Sequence, residues 1–248
     1  MEFKTICRLF AVLTASLAFG VAIAAEPDAN LAAVQKKISE MFDQVEPENV
    51  AQSPVDGLYV IQTGGLVAYV TADGRYLLQG DMIDLDNNIN LTANLRDAGI
   101  ADMMASIPDE EVILFAPEEP LYTVNIFTDV SCPACQSMHN AIDDYMDQGI
   151  AVRYFLYPRN GPSAPAWKTM EEVWCASDRA SALTAAKNGR KFASTNCDAS
   201  KVEEHYALGR EVGLNATPTM VLDNGTVVRG ALPAAQLRQQ LDLIAQTQ

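Results

Sequence analysis

Apolar residues recur at helical spacing over 30–41, where Leu31, Val34, Ile38 and Met41 share one face. After Pro54 the period changes. Segments 58–62, 66–71 and 75–79 read as strands, separated by Gly64-Gly65 and Asp73-Gly74, both strong hairpin signals. Residues 81–85 read as a continuation of that sheet beyond Gly80. A connecting helix is expected over 91–106, with Leu95, Ile100, Met103 and Met104 on a partly apolar face and Thr92 as its N-cap. Pro108-Asp109-Glu110-Glu111 ends it. Beyond Val112 come a strand at 122–128, a helix at 132–148 ended by Gly149, and a strand at 150–157. A helix-rich stretch at 165–187 and a helix at 201–212 follow. Strands at 219–222 and 226–229 are joined by Asn224-Gly225, a type I′ hairpin signal. Pro233 opens a closing helix that runs to 245.

A strand–helix–strand unit followed by a hairpin and a helix is the thioredoxin arrangement, here with a helical insertion. The expected architecture is therefore mixed α+β and α/β. A C-terminal thioredoxin fold at 112–248 is joined by a linker helix at 91–111 to a small N-terminal α+β domain at 25–90. The N-terminal unit is thin for an independent core. Two remedies are open: an edge strand pairing with its copy in a second chain, or packing against the second domain.

Composition narrows the setting. Residues 1–24 read as a secretory signal, with basic Lys4 and Arg8, an apolar run over 9–23, and the small-x-small site Ala22-Ile23-Ala24. The run is short for a membrane anchor, and no later stretch approaches the ~20 apolar residues of a membrane span. An exported location is expected. The formal charge is −15, from 32 acidic and 17 basic residues, which argues against a nucleic-acid partner.

Cysteine usage carries the chemistry. Cys7 falls in the signal, leaving Cys132, Cys135, Cys175 and Cys197. An even count in an exported protein fits disulfide chemistry. Four cysteines allow three pairings, and the close pair leaves Cys175 with Cys197 by elimination. That second bridge reads as structural, contributing about 3 kcal/mol by loop closure. Cys132-Pro133-Ala134-Cys135 follows a strand and opens a helix, which marks a redox-active dithiol. Thiol–disulfide exchange needs an exposed sulfur that ionises easily and a second, shielded sulfur near enough to displace it. A helix start favours the first as a thiolate, because free N–H groups and the positive dipole end meet it. A zinc site would need a second close pair, and attached haem would need His where Gln136 stands. No metal and no cofactor are expected. His139 and His205 are read as helix residues, not catalytic bases. Ala216-Thr217-Pro218-Thr219, ahead of the hairpin, supplies the second piece. In the thioredoxin arrangement this proline is cis and faces the dithiol. Thr217 and Pro218 then offer backbone to an extended substrate.

The chain resembles the periplasmic disulfide isomerases of the DsbC family. The resemblance rests on Phe127-Thr128-Asp129-Val130-Ser131-Cys132 with Cys135, Val152-Arg153-Tyr154, Pro158-Arg159, Trp174-Cys175-Ala176, and the stretch His205-Tyr206-Ala207-Leu208-Gly209. Thr217-Pro218, Asn224-Gly225-Thr226 and Leu78-Gln79-Gly80 add to it. The Cys175–Cys197 spacing also looks like the family's. The resemblance implies a V-shaped homodimer joined through the N-terminal dimerisation domains, a cleft for misfolded or misoxidised exported proteins, and a DsbD-like membrane reductase that keeps the dithiol reduced. It implies Cys132 as attacking thiolate, Cys135 as resolving thiol, and Thr217 and Pro218 at the substrate. Two departures stand out. Pro133 and Ala134 replace the Gly and Tyr of the best-known isomerases, and Ala216 replaces a usual Gly. Pro133 brings the motif nearer the related DsbG proteins and the oxidases, whereas the second cysteine pair favours the DsbC side. The alternatives are a dithiol oxidase and a DsbG-like reductase or chaperone.

Overall fold

The computed structural model describes residues 29–246. The signal segment and Cys7 lie outside them. Helix α1 (Ala29–Met41) turns Leu31, Val34 and Ile38 onto an antiparallel sheet of order β1-β2-β3-β4. Its strands are β1 (Val50–Gln52), β2 (Leu58–Thr63), β3 (Leu66–Thr71) and β4 (Leu77–Leu78). Met41, expected on the packed face, is instead exposed. Tyr59, Ile61 and Val70 face α1. Their alternates, Val60 and Tyr69, are cross-strand partners on the other face, as period two requires.

The sheet departs from expectation at its far edge. The strand expected at 75–79 shrinks to two residues. The turn consumes backbone donors first: Arg75 N donates to Asp73 Oδ1 and Tyr76 N to Thr71 Oγ1. Gly80, at φ 151°, then turns the chain away. Residues 81–85 do not extend the sheet. Strand β5 (Ile83–Asp84) folds back on β6 (Ile89–Asn90) as a separate hairpin. The Asp84 carboxylate builds that turn by accepting from the amides of Asp86 and Asn87 and from the Asn87 side chain.

Helix α2 (Leu91–Ala105) covers the open face. Its N-cap is Asn90, whose side chain accepts from Ala93 N, and not Thr92. Thr92 is buried, its hydroxyl held by Met82 N and Tyr69 OH. The same helix reaches the second unit, where Ile100 and Met104 pack with Phe127, Phe155 and Val221.

That unit is a five-stranded mixed sheet of order β11-β10-β8-β9-β7. The strands are β7 (Ile113–Phe115), β8 (Tyr122–Thr128), β9 (Ile150–Leu156), β10 (Thr219–Val221) and β11 (Val227–Arg229). Only β8 and β9 run parallel, with Tyr122 opposite Ile150 and Thr128 opposite Leu156. Every residue of β9 is buried, as expected of a central strand covered on both faces. Buried Arg153 on β9 ties this sheet to the end of α2. Nη1 donates to Asn125 Oδ1 at 2.9 Å and Met104 O at 3.3 Å, and Nη2 donates to Ile107 O. Its Nε lies 2.8 Å from Asp109 Oδ1 as an ion pair, without hydrogen-bond alignment.

The helix expected at 132–148 is two helices, α3 (Pro133–His139) and α4 (Ile142–Asp147). Ala141, at φ −106° and ψ 23°, leaves the helical region between them, and its amide bonds Met138 O instead of continuing the ladder. The insertion holds α5 (Pro165–Trp174), α6 (Arg179–Lys187) and α7 (Ser200–Glu211), and α8 (Ala234–Ala245) closes the chain. Cys175, at the end of α5, is bonded to Cys197 with Cα atoms 5.5 Å apart. A four-cysteine metal arrangement therefore does not form. Among the described residues no helix is long and apolar enough to cross a membrane.

Candidate active site

The dithiol stands where β8 hands over to α3. Cys132 is the N-cap of α3, in extended backbone, and Pro133 takes the first helical position, where its missing N–H costs nothing. The turn into the helix is held by the fully buried Asp129. Its Oδ1 accepts from the amide and hydroxyl of Ser131, each at 2.7 Å, and its Oδ2 accepts from Arg159 N at 3.2 Å. The Arg159 guanidinium lies 3.6 Å from the same oxygen.

The loop before β10 closes the site from the other side. The Thr217–Pro218 peptide is cis. The Cys132 thiol donates to Thr217 O at 3.2 Å. Cys132 and Cys135 are both free thiols. Thr217 and Pro218, far from the dithiol in sequence, are thus brought against it. Cys132 was expected to be exposed, yet it is 2% accessible. The cause is this loop, which lies directly over the sulfur. Exposed Ser131, Pro133 and Ala134 form the rim above it.

The two sulfurs differ electrically. Burial opposes ionisation of Cys132. The Cys135 backbone N–H, the Thr217 and Cys135 side chains and the charge of Arg159 outweigh it and hold the thiol below its ordinary value. Burial dominates at Cys135 and pushes it up, against the charge of Lys187, the Asp129 amide, and the side chains of Thr217 and Thr128. The buried Thr217 hydroxyl has no hydrogen-bond partner among the described residues, which leaves it free to donate to a thiolate. The two thiols are thus unequal, Cys132 the more easily ionised and Cys135 the more firmly protonated.

Asp129, Arg159, Thr128 and Lys187 join the site beyond the four residues expected there from the sequence. The Asp129-x-Ser131 spacing is a local turn signal that was there to be read. Lys187 gives no such signal, because it reaches the site from the far end of α6. His139 and His205 stand apart from the sulfurs' bonding. His139 is held between Tyr154 OH and Thr184 Oγ1, and His205 between Leu156 N and Glu111 O.

A thioredoxin sheet with an asymmetric dithiol at its first helix and a cis-proline loop against it defines a thiol–disulfide oxidoreductase. Residues 24–93 match the family model "Disulfide bond isomerase protein N-terminal domain", and residues 109–245 match "Thioredoxin-like domain". The thiol:disulfide interchange protein DsbC of Dickeya dadantii is 34% identical over 236 residues, covering 94% of this chain and 93% of its own. That of Escherichia coli K12 is 32% identical over 211 residues, covering 85% and 87%. Among solved structures, a disulfide interchange protein from Neisseria gonorrhoeae is 29% identical and covers 55% of this chain and 97% of its own, with a TM-score of 0.48. The chain belongs to the DsbC family of periplasmic thiol:disulfide interchange proteins.

Proposed function

We propose that this protein reshuffles or reduces non-native disulfides in exported proteins through Cys132 and Cys135. The observation that carries the reading is the Cys132 thiol at the start of α3, 3.2 Å from Thr217 O and held below its ordinary pKa while Cys135 is pushed up. Cys132 thiolate attacks a substrate disulfide, forming a mixed disulfide and freeing one substrate thiolate. If that thiolate attacks elsewhere in the substrate and a substrate sulfur later displaces Cys132, the disulfide is isomerised with no net redox change. If Cys135 attacks Cys132 instead, the substrate leaves reduced and the dithiol is oxidised. Thr217 and Pro218 line the substrate backbone, and Cys175–Cys197 braces the insertion. A DsbD-like membrane reductase returns the dithiol to its reduced state.

In this reading residues 1–24 direct export, 25–90 form the dimerisation domain, 91–111 the linker and 112–248 the catalytic domain. Two chains join through the N-terminal sheets. The exposed apolar edge at Leu77 and Leu78 supports that arrangement.

The test is a scrambled disulfide substrate. Cys132→Ser abolishes reshuffling, and Cys135→Ser accumulates mixed disulfides on Cys132, visible on non-reducing gels. Reshuffling that survives Cys132→Ser, or no adduct with Cys135→Ser, refutes the assignment.

A further inference from the structure

Lys187 ends α6 and is 3% exposed, a rare position for an amine. Its Nζ donates to Thr128 Oγ1 at 2.6 Å and stands 5.4 Å from the centre of the Tyr154 ring. The groups that face it are Cys135 and Cys132 at the start of α3, His139 at its end, Asp129 after β8, and Tyr154 on β9. Asp129 is committed to Ser131 and Arg159, so among the described residues no carboxylate stands within ion-pair distance of Lys187. Burial lowers the amine to about 8, against the pull of Cys135, Asp129 and Cys132. About a tenth of it is then neutral at pH 7 and able to accept a proton. The Thr128 hydroxyl bonded to Lys187 is also among the groups that favour the Cys135 thiolate, and so connects the two.

We propose that Lys187, acting through the Thr128 hydroxyl, takes the proton from Cys135 in the resolving step and so sets the lifetime of the mixed disulfide on Cys132. The inference rests on the reading of Cys135 as resolving thiol. Thr128 accepts the Cys135 proton as it passes its own to the neutral amine, leaving a Cys135 thiolate beside an ammonium. The thiolate attacks Cys132 Sγ. The Cys132–Cys135 bond forms, the bond from Cys132 to the substrate sulfur breaks, and the electron pair leaves on the substrate thiolate, which takes a proton from solvent. The substrate disulfide is reduced and the dithiol oxidised. Lys187 bonds to neither sulfur and acts on Cys135 only through the Thr128 hydroxyl, as the final acceptor of the relayed proton.

The experiment uses the full-length protein and a peptide disulfide, with acid quenching and mass spectrometry to follow the mixed disulfide as it forms and resolves from pH 6 to 9. Lys187→Met keeps the unbranched stem and removes the amine. Resolution at pH 7 is expected to slow at least about tenfold relative to formation, and its pH midpoint to rise. Thr128→Val cuts the same path while keeping shape, carries the same expectation, and decides the matter should Lys187→Met not fold. Wild-type resolution rates and an unshifted pH profile in either folded variant overturn the proposal. A wild-type protein that forms no mixed disulfide refutes the reading of Cys132 instead, so the two failures are distinguishable.

Discussion

His205 sits under the sheet with both ring nitrogens engaged. Leu156 N donates to Nδ1 at 3.1 Å, so Nε2 carries the proton that Glu111 O accepts at 2.8 Å. A second proton would go to Nδ1, directly against an N–H. Burial accordingly lowers His205 to about 4, and burial with the Lys187 charge does the same to His139. These values lie below the ordinary 6.5, so between the two the unfolded chain binds protons the folded chain refuses. Their contribution to stability is whole above about pH 6.5 and is lost as pH falls toward 4. Urea unfolding followed at pH 7, 6 and 5 should show a falling midpoint, and His205→Gln, which keeps a neutral donor and acceptor, should flatten the slope. An unchanged slope would mean that His205 is not held neutral. At this scale the dithiol and the Thr-Pro pair were legible because each is a short motif with a fixed neighbourhood in sequence. Lys187 and Thr128 were not, since their bond joins residues 59 apart and nothing local marks either.

Helix α2 is squeezed between two hairpin turns. On the N-terminal side, a Cβ on Gly99 would stand 2.0 Å from Gly64 O in the β2–β3 turn. On the other, a Cβ on Gly225 in the β10–β11 turn would stand 1.7 Å from Asp97 O. Gly225 also has φ +82°, so a side chain there meets both backbone strain and backbone contact. Gly225→Ala should cost about 2 kcal/mol or more of unfolding free energy in urea, and a loss below about 0.5 kcal/mol would mean that α2 is not seated there. Both turns were readable as hairpins from Gly64-Gly65 and Asn224-Gly225, but their second duty, admitting a helix backbone, depends on tertiary packing. The long periodic segments α1, α2, β8 and β9 were similarly plain. The three-residue strands β1 and β7 offered too few positions for a period to register. The break between α3 and α4 carries no proline or glycine to announce it.

At the scale of the whole molecule, the acidic balance and the thin N-terminal unit frame the question of assembly. Tyr76, Leu77, Leu78, Ile83 and Leu85 are all exposed around the short edge strand β4, an apolar border of the kind that pairs with another chain. For the proposed dimer, replacing Leu77 and Leu78 with lysine should shift the sedimenting species to monomer while the dithiol keeps its reactivity toward small disulfides. A wild-type chain that sediments as a monomer at micromolar concentration would sink the dimer. Helix α2 holds both units at once, with Leu95 O accepting from Gln62 of the first sheet and Ile100 and Met104 set among Phe127 and Phe155 in the core of the second. A helix shared in this way is a poor place to bend. Any swing of one unit against the other would have to part the backbone contacts at Gly99 and Gly225, so the reach of the redox centre is set by a clamped joint and not by a slack tether.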